Sequence, residues 1–329
     1  ISLEVKLKMN RVLFVGLGGA GQRHLRIFRS LLPDTDFYAF RRNKKTPLLN
    51  PDFTVDTSTS IEDKYNVNLI DDLDSCWNLK PDFVVVSTPT KFHSDISIDA
   101  SNHGVNVFVE KPGFVTLQEA EEVKETFIRN DTNLFISFQR RFHPLVDIFK
   151  DGLNDIGNII NIQVNVGSYV PSWHPYENCL DLYAFRKDLG GGVVRTECHE
   201  IDLIVSIFGI PNTISGLTSK QSSFDIDVED TANFIFEYDS FSVSFNLSFV
   251  QNRQERIIKV NGQDGWLEYD LLEQRVTKNN EDVYEKISND DLFLLQSKFY
   301  LNEFSKSDNS YLDSLVSNAK IIDKILNIN

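Results

Sequence analysis

The stretch RVLFVGLGGAGQRHLRIFRSLL, residues 11–32, constrains this chain more than any other. It reads as an apolar strand that ends in glycine and opens directly into a helix. Leu25, Phe28 and Leu32 recur at helical spacing before Pro33 stops the pattern. Gly16, Gly18 and Gly21 fit GxGxxG, and in a strand-to-helix context that pattern marks a pyrophosphate site. Gly16 is expected to permit the tight turn, Gly18 the approach of backbone to phosphate, and Gly21 close packing of the helix. Gly19 and Ala20 lie in the first turn, where unpaired N–H groups and the helix dipole attract an anion. Without that context the glycines would say no more than that the chain turns.

Strand–helix alternation continues to about residue 138. TDFYAF, DFVVVSTP, VNVFVEKP and NLFISF read as strands, and their continuous apolar runs suit a parallel sheet covered on both faces. FHSDISIDASNHG reads as a helix closed by Gly104. TLQEAEEVKETFIRN reads as a helix capped by Thr116. This order predicts an α/β doubly wound parallel sheet, the Rossmann arrangement, over 9–138. From 139 the texture changes. IINIQVNVGSYV, TANFIFEYD, FSVSFNLSFV and RIIKVNG alternate with period two, and two helical runs close the chain. An α+β domain over 139–329 with a large, mostly antiparallel open sheet is expected.

Composition excludes several classes. The formal charge of −15 argues against a nucleic-acid partner. The 41% apolar and 25% charged content is that of a globular protein. No apolar run is long enough to span a membrane. Cys76, Cys179 and Cys198 stand far apart, so neither a disulfide framework nor a structural metal is expected. The opening ISLEVKLK lacks the long apolar core of a signal peptide, and the expected compartment is the cytoplasm.

After the second strand comes FRRNKK, where an NAD site usually carries Asp or Glu to hold the ribose. Arg41 and Arg42, with Lys44 and Lys45 nearby, instead suit the extra phosphate of NADP, so NADP(H) is expected over NAD(H). A solvated basic loop is the alternative. Glu110, Lys111 and Pro112 end a later strand, and open parallel sheets bind ligands beyond the carboxyl ends of their strands.

GGGVVRTECHEID, residues 190–202, packs charge into an apolar helix. On a helical wheel over 194–208, Arg195, His199 and Asp202 share one stripe beside Val194, Cys198, Ile201, Val205 and Phe208. Buried charges need mutual pairing or a polar ligand. One reading makes Asp202 and Arg195 an internal ion pair around His199. The other makes the seam the floor of a substrate cleft facing Lys111, with the glycines admitting ligand close to backbone. Glu197 and Glu200 scatter around such a helix, which disfavours a metal site with His199.

Six ordered segments, GLGGAGQRH, STPTKFH, GVNVFVEKP, RRFHP, GSYVPSWHP and GGGVVRTECHEID, resemble the Gfo/Idh/MocA oxidoreductases, a family typified by glucose–fructose oxidoreductase and inositol dehydrogenase. The resemblance spans most of the chain. It implies a nicotinamide cofactor, a carbohydrate substrate and a homodimer or homotetramer formed through the open sheet. It assigns catalysis to Lys111 and His199, and lays Ser87, Thr88, Pro89 and His93 along the cofactor. Trp173, His174, Pro175, Tyr183 and Arg186 look like a subgroup of surface-polysaccharide pathways. Arg195 stands where many of the family's dehydrogenases have aspartate, so a complete lysine–aspartate–histidine set is absent.

These readings converge on an NAD(P)-dependent sugar dehydrogenase or reductase. Histidine, with an intrinsic pKa near ~6.5, can exchange a proton at neutral pH. Lysine can hydrogen-bond the same oxygen or relay the proton itself, and the sequence leaves the choice between them open. Arg140, Arg186 or Arg195 could clamp a substrate carboxylate or phosphate, which suits a nucleotide-linked sugar or a sugar acid. Trp173 and Tyr183 could stack on a sugar ring or simply fill core. A non-catalytic dinucleotide sensor is the principal alternative, and a biliverdin-reductase-like activity a weaker one.

Overall fold

The computed structural model describes residues 9–42, 46–174, 176–303 and 310–328. Lys44, Lys45, Pro175 and the first eight residues lie outside them. The chain divides into two compact units, 1–139 with 289–319, and 140–288 with 320–329.

The first unit carries β1 (Arg11–Val15), α1 (Gly19–Leu31), β2 (Asp36–Phe40), α2 (Ile61–Tyr65), β3 (Val67–Ile70), α3 (Leu73–Trp77) and β4 (Phe83–Val86). It continues through α4 (His93–Asn102), β5 (Asn106–Glu110), α5 (Leu117–Asn130) and β6 (Leu134–Ser137). All six strands are parallel, in the order β3-β2-β1-β4-β5-β6, with β1 between β2 and β4. Every residue of the FVVV strand β4 is buried, as a sheet covered on both faces requires. Thr116 caps α5 and forms a capping box with Glu119, which returns a bond to the Thr116 N–H. The edge strand β3 and the one-turn helices α2 and α3 carry no long apolar run, and periodicity alone does not reveal them.

The second unit carries α6 (Leu145–Leu153), β7 (Ile159–Tyr169), α7 (Val193–Thr196), α8 (His199–Phe208), β8 (Thr213–Ser219) and β9 (Thr231–Glu237). Then come β10 (Ser242–Ser248), β11 (Val250–Gly262), β12 (Trp266–Asp270), β13 (Arg275–Lys278) and β14 (Glu281–Tyr284). Its eight strands run β14-β13-β12-β11-β7-β10-β9-β8, antiparallel except for the β7–β10 pair. Phe234, Phe236, Val243, Phe245 and Leu247 turn to the covered face, with Phe234 and Phe245 stacked at 4.6 Å. α6 packs on β12 and β13, and α7 on β9 and β10. Asn233, Ile235, Ser244 and Asn246 face the other way, and among the described residues that face of the sheet is open.

The helices α9 (Asn289–Glu303) and α10 (Ser310–Leu326) close the chain. Residues 289–319, which periodicity groups with the second domain, belong to the first unit. Packing explains this. Tyr300 is 4% exposed, and its ring lies 5.2 Å from Phe83 and 5.1 Å from Phe108, edge to face. Such contacts add about 0.5–1.5 kcal/mol each beyond area burial. No helix among the described residues is long and apolar enough to cross a membrane.

Candidate functional site

In the first unit the site begins at the carboxyl end of β1. Gly16 has φ +94°, a conformation that disfavours any side chain, and a Cβ there would stand 2.8 Å from the Ser87 carbonyl. A Cβ on Gly21 would meet the Gly16 carbonyl and the Ser87 hydroxyl, so α1 sits tight against its own turn. Gly18 differs. It is the N-cap of α1, bears no capping side chain, and a Cβ on it would meet nothing within 4 Å. The helix therefore presents the N–H groups of its first turn, at Gly19, Ala20 and Gly21, with bare backbone in front of them. Open space at a glycine N-cap fits a pyrophosphate.

Strands on either side hold this turn. The Gly16 N–H donates to Phe40 of β2 at 3.0 Å, and the Ser87 hydroxyl beyond β4 donates to the Gly16 carbonyl at 2.9 Å. Thr88 and Pro89 continue that loop, and His93 anchors it. His93 is 1% exposed, with Nε2 2.7 Å from the Thr88 carbonyl and Nδ1 2.8 Å from that of Gly113. Both ring nitrogens are thus engaged by backbone, and the residue fastens the loop after β4 to the one after β5. Burial lowers its pKa, outweighing the two carbonyls, which favour the charged ring.

Arg41 and Arg42 follow β2 and take different roles. Arg41 folds back to donate to the Thr46 carbonyl at 2.6 Å, and burial lowers its pKa against the pull of Glu62. Arg42 is exposed, its guanidinium carbon 5.2 Å from the centre of the Phe92 ring.

Lys111 follows β5, two strands from β1 at the same carboxyl edge, which is about 10 Å by strand spacing. Glu110 turns into the protein. Its Oε1 lies 2.5 Å from Nε2 of His24, a fully buried residue of α1, and also accepts from the Ser137 hydroxyl at 3.2 Å. Burial pushes the Glu110 carboxyl up, but His24, Lys111 and Ser137 outweigh it and hold its pKa below the usual value. The carboxylate thus braces the strand end that bears Lys111.

In the second unit, residues 194–208 do not form one helix. α7 ends at Thr196, Glu197 leaves helical geometry at φ −100° and ψ 35°, and α8 begins at His199. The stripe of Arg195, His199 and Asp202 expected from a continuous wheel is interrupted at this joint. The acids there are among the most buried residues of the unit: Glu200 is 0%, Glu197 1% and Asp202 2% exposed. Their charge is met from other elements. Arg256 of β11 donates to both Glu200 oxygens and to Glu197, and the Ser168 hydroxyl donates to Glu197 at 2.5 Å. Burial opposes the Arg256 charge, yet Glu197 and Glu200 raise its pKa overall. Arg141 holds Asp202 in a fork with two bonds of 2.5 Å. Arg256 does not stand out in the sequence, and although Arg141 lies in the RRFHP segment, nothing in the spacing joins either arginine to its distant partner.

The triple glycine serves the chain's own packing. Gly190 and Gly192 have φ of +82° and +106°. A side chain on Gly191 would collide with the carbonyls of Tyr183 and Ala184, and one on Gly192 with the Glu229 carboxylate. The close approach expected toward a ligand is therefore made to protein. Glu229 accepts from the Val194 N–H at 3.2 Å, and burial raises its pKa against those backbone bonds and Arg195.

The remaining cations are partly committed. Arg140 Nε lies 3.6 Å from Glu200, and Arg186 is exposed and forked onto Asp188. Arg195 lies at the end of α7, with Nη1 3.4 Å from the Gly191 carbonyl. Trp173 and Tyr183 are half-buried in the run of short turns between β7 and α7. No cluster of His, Cys, Asp and Glu able to hold a metal occurs among the described residues.

Comparison with known proteins agrees with this geometry. Residues 10–138 match the oxidoreductase family with an NAD-binding Rossmann fold, and 153–268 match the GFO/IDH/MocA C-terminal domain. Oxidoreductase P35 of Formosa agariphila is 23% identical over 61% of this chain, and the match spans only 63% of that protein. Levoglucosan dehydrogenase, solved with NADH and levoglucosan, superposes with a TM-score of 0.82 at 14% identity, covering 96% of each chain. The WlbA dehydrogenase of Bordetella pertussis, solved with NADH and UDP-GlcNAcA, gives 0.75 at 16% identity over 97% of this chain and 95% of that one. With both halves matched in order by models of one family, this chain belongs to the Gfo/Idh/MocA oxidoreductases, whose first domain is an NAD-binding Rossmann fold.

Proposed function

We propose that this protein exchanges a hydride between NADP(H) and a hydroxyl or ketone of a sugar, a nucleotide-linked sugar or sugar acid of surface-glycan synthesis. The observation that carries the reading is the bare N-terminus of α1 with open space at Gly18, on the sheet edge that also bears Lys111. Gly18, Gly19, Ala20 and Gly21 would hold the pyrophosphate, the loop Ser87–Pro89 would border it, and Arg42 would meet the 2′-phosphate. Bound there, the nicotinamide ring supplies the hydride acceptor or donor. Lys111 hydrogen-bonds the substrate oxygen and stabilises its developing charge. His199 takes or returns the hydroxyl proton. Arg195 is the cation that faces an acidic group on the substrate, and Trp173 and Tyr183 flank the sugar. WlbA, crystallised with UDP-GlcNAcA, and levoglucosan dehydrogenase make a carbohydrate the natural class to test.

The test has two steps. Fluorescence titration with NADPH and NADH measures cofactor binding, and a panel of nucleotide sugars and sugar acids is then screened for cofactor turnover. With an active substrate, Lys111→Met and His199→Asn should each lower kcat by about 10²–10⁴-fold. Tight dinucleotide binding without turnover on any carbohydrate favours a sensor instead.

A further inference from the structure

We infer that Phe92 is a specificity residue for the dinucleotide, acting through Arg42 to select the 2′-phosphate; the inference rests on the NADP reading above. β1 lies between β2 and β4, so the carboxyl ends of those two strands flank the glycine turn. Arg42 stands after β2, and Phe92 closes the short turn Thr90–Phe92 after β4. Their contact at 5.2 Å therefore reaches from one flank of the turn to the other, across the edge where α1 offers its N-terminus.

The chemistry of the pair favours a phosphate. An aromatic face attracts a guanidinium without neutralising it, so Arg42 keeps its full charge and its fork of donors. A carboxylate at position 92 would hold the arginine as firmly but would cancel the charge. Stacking also restricts the rotamers of a long exposed side chain, so less freedom is lost when a phosphate binds. Of the two arginines after β2, Arg41 is bound to the Thr46 carbonyl and builds the loop, whereas Arg42 is exposed and offers its guanidinium to a phosphate. Phe92 is half-buried and also packs on the core of its unit, so its ring is fixed from behind.

The experiment is a binding cycle read by NADPH and NADH fluorescence on wild type, Phe92→Leu, Arg42→Met and the double variant. Leucine keeps the apolar packing and removes the aromatic face, and Arg42 is exposed, so its replacement leaves the fold intact. Phe92→Leu should weaken NADPH roughly two- to five-fold, while NADH stays within about two-fold. In the Arg42→Met background the same change should leave NADPH affinity unaltered. Equal weakening of both dinucleotides, an unchanged NADPH affinity, or an undiminished effect in the absence of Arg42 would each overturn the role of Phe92. A wild-type protein that binds NADH more tightly than NADPH removes the NADP reading itself, and the inference with it.

Discussion

Arg256 grips Glu200 through two bonds of 2.8 and 2.7 Å while also donating to Glu197, so one guanidinium from β11 closes the joint between α7 and α8 on both sides of His199. Glu197 and Glu200 are three residues apart, near enough to share one cation across the bend where α7 ends and α8 begins. The network lies in the interior, where an unmatched charge is far costlier than at the surface.

Replacing Arg256 by Met removes its charge-assisted bonds to two buried carboxylates. The expected loss is about 3–5 kcal/mol of unfolding free energy, read as a lower urea midpoint at neutral pH. A loss below about 1 kcal/mol would mean that water reaches Glu197 and Glu200 and that the network is not sealed.

Gly16 and Gly18 should respond oppositely. Gly16→Ala places a methyl at φ +94° against the Ser87 carbonyl and is expected to cost about 1–2 kcal/mol of stability. Gly18→Ala meets no protein atom, so stability should move by less than about 0.5 kcal/mol. Its methyl stands in front of the helix terminus, however, and NADPH should bind at least about tenfold more weakly. Thermal melts and fluorescence titration on the two variants separate fold from function.

The buried His93 predicts a pH dependence of stability. Its folded pKa is lowered, so the unfolded chain takes up a proton that the native ring resists. The contribution is complete above the unfolded value near ~6.5 and is lost as pH falls through that value toward the folded pKa. His143, also lowered chiefly by burial, acts in the same sense. Melts at pH 8, 7, 6 and 5 should show Tm falling below pH 7, with a shallower fall in His93→Gln. Parallel curves would show that His93 contributes nothing to the acid side.

The open face of the second sheet exposes Ile235 at 41% and Leu217 at 59%, among the polar side chains of Gln163, Asn165, Asn233 and Asn246. Burial of this face in a self-associated form is expected. Light scattering after size exclusion should give a dimer or tetramer mass for the wild type and a lower mass for Ile235→Lys. An identical mass for both would place any contact elsewhere.

Local sequence set the elements that depend on neighbours along the chain. The glycine turn after β1, the buried run of β4, the Thr116 cap and the period-two strands β7, β9 and β10 all follow from contacts within a few residues. They supply strands to both the six-stranded parallel sheet and the mostly antiparallel eight-stranded one. The four-residue edge strand β3 and the strand β8, interrupted by Gly216, give too weak a periodic signal to be found this way, whereas the nine-residue helix α6 does carry an amphipathic pattern.

Only the tertiary structure chose partners. Arg256 stands 56 residues from Glu200 and Arg141 61 from Asp202, and no spacing rule joins charges so far apart. The same holds for Glu229 under Gly192, for Glu110 on His24, and for Tyr300, which draws α9 onto the first sheet. The physical reason is one of range: backbone conformation is fixed by near neighbours, whereas a buried charge or ring is satisfied by whatever the completed fold brings within a few ångströms.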